Sequence, residues 1–230
     1  MKRSAAVVGY ECLFDSPVDE WHLSPSVIGR IAKMMETEGI VFDRERLSIL
    51  LHETLEKRKK RAMETMVETN LSDIAASVLA DLEINDPSME RRILDTVSEH
   101  YITHSKAKQG AVGLLQRLKK DAKVGLLCNV PLGIPHSIIY SQVREEGMME
   151  LLDDMQFSTE MGMRRPHARQ FRFSLSNLNA DPAECAAITS IAGDMDTLKR
   201  LSFGDILVVG TEADGHGKSA GTIDELYSLL

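Results

Sequence analysis

Short apolar runs alternate with amphipathic segments through the second half of the chain, and this alternation constrains the fold more than any other feature. The first amphipathic segment, residues 111–119, carries leucines on one side and is predicted to be a helix. Buried strands are predicted over residues 124–129, 155–158, 186–192 and 206–209, and further helices over residues 137–152, 166–177, 197–201 and 222–229. This pattern implies an α/β fold with a doubly wound parallel sheet and right-handed crossovers. In such a sheet, ligands bind at the carboxyl ends of the strands.

The first half of the chain contains one strand and then a long helical stretch. Residues 5–8 are apolar, as is typical of the first central strand of a parallel sheet. Residues 17–108 repeat apolar side chains at helical spacing over four segments. Four helices between one strand and the rest of a sheet predict an inserted helical cap domain over residues 17–108. The core domain is then formed by residues 1–16 and 109–230.

The composition narrows the classes of partner. The 230 residues include 27 basic and 35 acidic side chains, which gives a net charge of −8. This charge argues against nucleic acid or an acidic membrane as the main partner. No apolar run approaches the roughly 18 residues that a membrane span needs. Three cysteines without CxxC pairing indicate a reducing compartment, and the first residues lack a signal-peptide pattern, so we expect a cytoplasmic protein.

The residues after the first strand carry a resemblance to a known family. Leu13, Phe14, Asp15 and Ser16 resemble the end of the opening motif of the haloacid-dehalogenase-like (HAD) superfamily. In that family, the first strand delivers two aspartates two positions apart, followed by Gly-Thr-Leu. The resemblance implies a Rossmann-like core with a helical cap of the four-helix type.

The two aspartates of the opening motif are missing. Counting back from Leu13 without a gap places the family's nucleophile at Val8 and its general acid at Tyr10. Glu11 is the only carboxylate before Asp15, so this loss does not depend on the alignment. Valine cannot attack a substrate, and tyrosine, with an ordinary pKa of about 10, is a poor replacement for the acid.

Two further segments resemble the motifs that hold phosphate in this family. Residues 124–129 resemble the second motif, in which a strand ends in Ser or Thr and is commonly followed by Asn; here Cys128 replaces the hydroxyl residue and Asn129 is kept. Arg165 stands before Pro166, where the third motif normally has Lys. The resemblance implies Cys128, Asn129 and Arg165 as candidates for binding a ligand or phosphate.

The fourth motif, which binds magnesium in the family, does not align uniquely. Counting along the chain places its first aspartate at Ser190 or Ile191, and neither is a suitable ligand. Asp196 matches the second aspartate. Asp194 replaces the first if the preceding strand is longer by a few residues. Asp194 and Asp196 are therefore the metal candidates.

Two main functions remain open. In the preferred hypothesis, the chain has no catalytic residues and no cofactor, and it binds a small molecule or a protein through the retained cleft or the cap. The alternative is a Mg²⁺-dependent phosphohydrolase that uses a displaced carboxylate: Glu11, Asp15, Asp194 or Asp196. A third hypothesis is a homo-oligomer that assembles through the methionine-rich cap. No partner of the nucleic-acid or membrane class is expected.

Overall fold

A parallel sheet of six strands forms the centre of the computed structural model, which describes residues 3–15, 21–210 and 217–229. The strands of this sheet are β1 (Ala5–Gly9), β4 (Lys123–Cys128), β5 (Asp154–Phe157), β6 (Cys185–Thr189), β7 (Asp205–Val209) and β8 (Lys218–Ala220). Their order is β5-β4-β1-β6-β7-β8, and every neighbouring pair is parallel. The chain therefore extends the sheet first to one side of β1 and then to the other, as in a doubly wound fold.

The helices form layers on the sheet and an insertion after β1. They are α1 (Tyr10–Leu13), α2 (Pro25–Thr37), α3 (Arg44–Thr65), α4 (Leu71–Asp81), α5 (Pro87–His104), α6 (Ala111–Asp121), α7 (His136–Glu145), α8 (Ser158–Met161), α9 (Ala168–Leu178), α10 (Asp194–Arg200) and α11 (Ile223–Leu226). The predicted fold class, an α/β doubly wound sheet with an inserted helical layer, is confirmed.

The first strand is buried on both faces, which explains why its sequence is a continuous apolar run. Because side chains alternate along a strand, Ala6 and Val8 belong to one apolar cluster while Ala5 and Val7 belong to another on the opposite side. The cluster that contains Val8 also includes buried apolar side chains from each of the helices α2 to α5. The inserted helices are thus packed into the same core as the sheet.

A short antiparallel strand pair lies where the chain enters and leaves the inserted helices. Strands β2 (Phe14–Asp15) and β3 (Lys106–Ala107) pair immediately before and after this insertion. Sequence patterns did not predict this pair, because two residues are too few to show an alternation. Residues 16–20, which include the predicted boundary between core and cap, lie outside the described residues.

The predicted elements differ from the observed ones mainly at their ends. The predicted helix over 137–152 stops at Glu145, and a separate 3₁₀ turn covers Met149–Leu151. The strand predicted over 186–192 ends at Thr189, because the chain turns there and α10 begins at Asp194. The predicted closing helix is only the four-residue α11, and β8 was not predicted. None of the helices in the described ranges is both long and apolar enough to cross a bilayer.

Candidate functional site

The polar side chains that follow β1, β4 and β6 meet at the carboxyl edge of the sheet. Glu11 lies on the helical turn after β1, Asn129 follows β4, and Asp194 begins the helix after β6. Arg165 reaches the same place from the loop between α8 and α9. In a doubly wound sheet, ligands bind outside the carboxyl ends of the strands, at the point where the strand order reverses. In this sheet, the order reverses next to β1.

The guanidinium of Arg165 is held by two carboxylates. Its Nη1 donates to Asp194 Oδ2 at 2.9 Å and to Glu11 Oε1 at 3.2 Å, and its Nη2 donates to Glu11 Oε2 at 2.5 Å. The side chains of Arg165 and Asp194 are 1% and 0% exposed, whereas that of Glu11 is 28% exposed. Burial alone would lower the pKa of Arg165, but the two carboxylates raise it above its ordinary value. Arg165 is therefore a fixed, fully charged cation.

Asn129 fixes the main chain of Arg165. Its Oδ1 accepts a hydrogen bond from Arg165 N at 2.8 Å, and its Nδ2 donates to Arg165 O at 3.2 Å. The sequence predicted that Asn129 and Arg165 would lie at one site, and the structure brings them together. The amide of Asn129 is engaged in positioning Arg165.

The other residues around Asp194 make it part of a buried network. Thr189 Oγ1 donates to Asp194 Oδ2 at 2.6 Å and accepts from Ile191 N at 3.0 Å. Burial raises the pKa of the Asp194 carboxyl, and the attraction of Arg165 opposes that rise. Thr189 was not among the site residues predicted from the sequence, although a hydroxyl residue at the carboxyl end of a central strand was a usable signal.

Gly9 makes the position of Glu11 possible. A Cβ atom on Gly9 would lie 2.1 Å from Glu11 Oε1 and 2.8 Å from Arg165 Nη1, both too close. The Glu11 side chain thus folds back over the space that any larger residue at position 9 would fill. The position of the Glu11 carboxylate therefore depends on the glycine at position 9.

The two positions that match the family's nucleophile and acid contain no available catalytic group. Val8 is fully buried in the apolar core. The hydroxyl of Tyr10 is 2.8 Å from that of Tyr101 and donates to Gln142 Oε1. Burial, reinforced by Tyr101, raises the pKa of Tyr10 above its ordinary value. Tyr10 therefore acts as a buried link between α1, α5 and α7.

The cysteine candidate is equally inert. Cys128 is fully buried at the end of β4, and burial raises the pKa of its thiol well above the ordinary value despite the nearby positive charge of Arg165. The same holds for Cys12, which follows Glu11. A thiol in this state is neutral at pH 7 and is a poor nucleophile.

The metal candidates do not form a magnesium site. Asp194 Oδ2 already accepts from Arg165 and Thr189, and Asp194 Oδ1 is buried without a hydrogen-bond partner among the described residues. Asp196 is exposed on α10. Nowhere in residues 3–15, 21–210 and 217–229 do three or more His, Cys, Asp or Glu side chains form a set that could hold a metal. Magnesium demands near-octahedral oxygen ligands, and a guanidinium 2.9 Å from the main candidate ligand would repel it, so the residues present do not fit this ion.

A second ion pair lies beside the first and connects the cap to the core. Arg164 Nη1 donates to Glu68 Oε1 at 2.6 Å, and the two side chains are 5% and 2% exposed. The guanidinium carbon of Arg164 lies 4.7 Å from the centre of the Trp21 ring. The adjoining main chains also pair, since Glu68 N donates to Gly162 O at 3.1 Å. Sequence reasoning missed this contact, because 96 residues separate the two charged partners.

A cavity of about 280 Å³ lies between the inserted helices and the sheet, next to both ion pairs. Its wall is mostly apolar, with three polar side chains and one glycine, and is formed by Trp21, Ala62, Met63, Met66, Pro166, Ile191, Asn129, Arg164, Arg165 and Gly193. A separate open groove of about 580 Å³ lies near the ends of β7 and β8, and Asp15, Lys108 and Ser190 are among its lining residues. The smaller cavity is the one that Arg165 borders.

Comparisons with known proteins identify the fold. No protein-family model matches the chain, and no curated protein matches its sequence. Among solved structures, the 2-haloacid dehalogenase from Pseudomonas syringae pv. Tomato DC3000 superposes with a TM-score of 0.67 at 12% identity, over 99% of this chain and 98% of that one. A protein described as a β-phosphoglucomutase from Thermotoga maritima gives 0.61 at 16% identity, over 99% and 98%.

A third structure belongs to a protein described as a HAD-hydrolase from Bacillus subtilis, bound to magnesium; its TM-score is 0.59 at 14% identity, over 100% of this chain and 99% of that one. At such identities, structural similarity establishes the fold and no more. The chain therefore has the haloacid-dehalogenase-like fold, as the resemblance in its opening motif predicted. The roles of its individual site residues stay predictions.

Proposed function

We propose that this protein does not hydrolyse phosphate esters and instead binds a small molecule in the cleft between its inserted helices and its sheet. The observation that carries the proposal is the contact of Arg165 with both Glu11 and Asp194. A phosphate group would have to displace Glu11 before Arg165 could bind it. It would then lie beside the buried carboxylate of Asp194, without a divalent cation to reduce the repulsion.

The site also lacks the groups that ester hydrolysis requires. An aspartyl intermediate requires a carboxylate that attacks, and a second group must protonate the leaving oxygen. Val8 is apolar and buried, and the hydroxyl of Tyr10 is hydrogen-bonded to Tyr101 and Gln142. The loss of several cooperating groups supports a binding role for the retained cleft.

The 280 Å³ cavity supports binding of a small molecule. Ligand pockets are typically concave and mostly apolar, with a few fixed polar groups that orient the ligand. Here the apolar part includes Trp21, Met66 and Ile191, and the fixed polar group is Arg165.

One observation favours a second function. Glu11 is a partly exposed carboxylate next to Arg165, and it was among the displaced carboxylates that the sequence allowed. In this alternative, the protein is a Mg²⁺-dependent phosphohydrolase in which Glu11 attacks the substrate. The geometry favours it less, because both oxygens of Glu11 face the guanidinium.

The experiment that separates the two functions measures release of 4-nitrophenol from 4-nitrophenyl phosphate, with and without Mg²⁺. The wild-type protein and Glu11→Gln are compared. We expect no release above the buffer blank from either protein. Magnesium-dependent release by the wild type that disappears in Glu11→Gln would contradict the proposal and establish the second function. Release by both proteins would contradict the proposal and exclude Glu11 as the nucleophile.

A further inference from the structure

We propose that the outer face of α3 is a contact surface between two copies of this chain, which associate with their α3 helices antiparallel. This inference goes beyond the proposed ligand binding and does not depend on it, because it concerns the outside of the inserted helices. It gives a location and a geometry to the homo-oligomer that the sequence left open.

The two faces of α3 (Arg44–Thr65) carry different residues. The inner face is buried in the core through Leu47, Leu51 and Leu55. On the outer face, side chains spaced alternately by four and three positions follow one another along the helix. All five are exposed, and we refer to them as the outer stripe: Ile49, Glu53, Glu56, Lys60 and Met63.

The outer stripe has a large apolar side chain at each end. Ile49 is 50% exposed and Met63 is 65% exposed, and the two lie 14 positions, or about 21 Å, apart along the helix. Val41 and Val67, also exposed, lie beside the two ends of α3. Four of the seven large apolar side chains that are exposed in the described part of the chain are therefore on or next to this helix. Such a concentration marks an interaction surface, whereas single exposed apolar residues do not.

The charges of the outer stripe are divided between its two halves. Glu53 and Glu56 lie in the first half, and Lys60 lies in the second half, within a run of five basic residues at positions 57–61. Within the described residues, Lys59 forms an ion pair with Glu56 at 3.7 Å, whereas Glu53 and Lys60 form none. An acidic and a basic side chain of the same surface can thus face a partner.

A second copy of the chain matches this surface. A two-fold axis that crosses α3 beside Glu56 places Ile49 of one copy next to Met63 of the other, and Glu53 of one copy opposite Lys60 of the other. Each contact then occurs twice, because a two-fold interface uses the same patch on both chains. In a parallel pair, like charges would face each other. A partner of uniform charge would match one half of the stripe and be repelled by the other half, so the surface is complementary to itself.

Sedimentation velocity of the wild-type protein over about a hundredfold range of concentration tests the association. We expect a monomer–dimer equilibrium that weakens at high salt, because salt screens exposed ion pairs. Glu53→Lys places two lysines opposite each other at both ends of the interface, and we expect it to weaken the dimer at least about tenfold. Glu145→Lys is the matched control, since it changes the net charge equally at an exposed position on α7 and should leave the dimer unchanged.

A mixture of two variants tests the antiparallel pairing directly. Lys60→Glu alone is expected to weaken the dimer as Glu53→Lys does. When the two variants are mixed in equal amounts, the new lysine of one chain faces the new glutamate of the other, and the native Glu53 and Lys60 also face each other. We therefore expect the mixture to form a heterodimer about as tight as the wild-type dimer, which a change in net charge or a misfolded variant would not produce.

A wild-type protein that stays monomeric over the whole concentration range would overturn the inference. Equal weakening by Glu53→Lys and Glu145→Lys would also overturn it, as would a dimer that Glu53→Lys leaves unchanged or a mixture of the two variants that remains monomeric. All of these outcomes are distinct from failure of the proposed function, which is turnover of the phosphate ester.

Discussion

A Cβ atom on Gly9 would lie 2.1 Å from Glu11 Oε1, so the residue at position 9 determines whether the carboxylate at position 11 can reach Arg165. We predict that Gly9→Ala displaces the Glu11 carboxylate from Arg165 and destabilises the protein by about 1–3 kcal/mol, because the buried guanidinium loses hydrogen bonds to one of its two carboxylates. Urea unfolding measures this cost. In a Glu11→Ala background, the same substitution is expected to cost clearly less, because the carboxylate is gone. Equal costs in both backgrounds would show that Gly9 and Glu11 are independent.

Asn129 is predicted to stabilise the loop that carries Arg165. Asn129→Ala removes two hydrogen bonds and leaves the main-chain groups of Arg165 without them, which we expect to cost about 1–3 kcal/mol. Asn177→Ala is the matched control, because Asn177 is exposed and its Nδ2 donates to Asp154 Oδ1 at 2.8 Å. Chemical denaturation of both variants checks the prediction. A larger loss from Asn177→Ala than from Asn129→Ala would contradict it.

The buried pair of Glu68 and Arg164 is predicted to hold the cap against the core. Glu68→Ala leaves the guanidinium of Arg164 buried without this carboxylate, and breaking such a pair typically costs about 3–5 kcal/mol. Trp21 packs on Arg164, so its emission should shift at the same time. Glu36→Ala removes an exposed ion pair with Arg44 and serves as the control, with no measurable change expected. Similar losses in both variants would show that the pair does not fasten the cap.

Tyr10 is predicted to stabilise the folded protein by an amount that decreases at alkaline pH. Tyr10→Phe removes the hydroxyl that joins Tyr101 and Gln142, and the expected cost is about 1–3 kcal/mol at pH 8. Because burial raises the folded-state pKa of Tyr10 above its ordinary value, the folded state retains this proton longer than the unfolded state does. The stability difference between wild type and Tyr10→Phe is therefore complete below pH 10 and declines above it, towards the folded-state pKa. Unfolding curves at several pH values test this, and a difference that grows above pH 10 would contradict it.

The fold could be predicted because its signals are local. The four central strands, β4, β1, β6 and β7, show as apolar runs and each cap helix as an apolar stripe, so the centre of the sheet and the inserted helices follow from periodicity. The predicted ends of the helices and strands were less accurate. For example, the end of β6 at Thr189 depends on a hydrogen bond from Ile191 N to the Thr189 hydroxyl, which no periodicity reveals.

The candidate site could be predicted only in part, because its decisive contacts join distant segments. The sequence selected Asn129, Arg165 and Asp194, and the structure places these three together. The sequence did not show that Glu11 would bind Arg165, because the two residues are 154 positions apart and the contact requires a glycine at position 9. The sequence also selected Asp196 as a metal candidate beside Asp194; Asp196 is exposed on α10, and its role stays a prediction.

In the proposed function, Glu11 fills the anion site on Arg165, and the site does not take magnesium and phosphate. The most direct test is a crystal structure of the wild-type protein grown with Mg²⁺ and orthovanadate, an analogue of phosphate. We expect the Glu11 carboxylate to remain on Arg165, with neither ion at Asp194. A vanadate on Arg165, with Glu11 displaced and Mg²⁺ bound to Asp194, would contradict it.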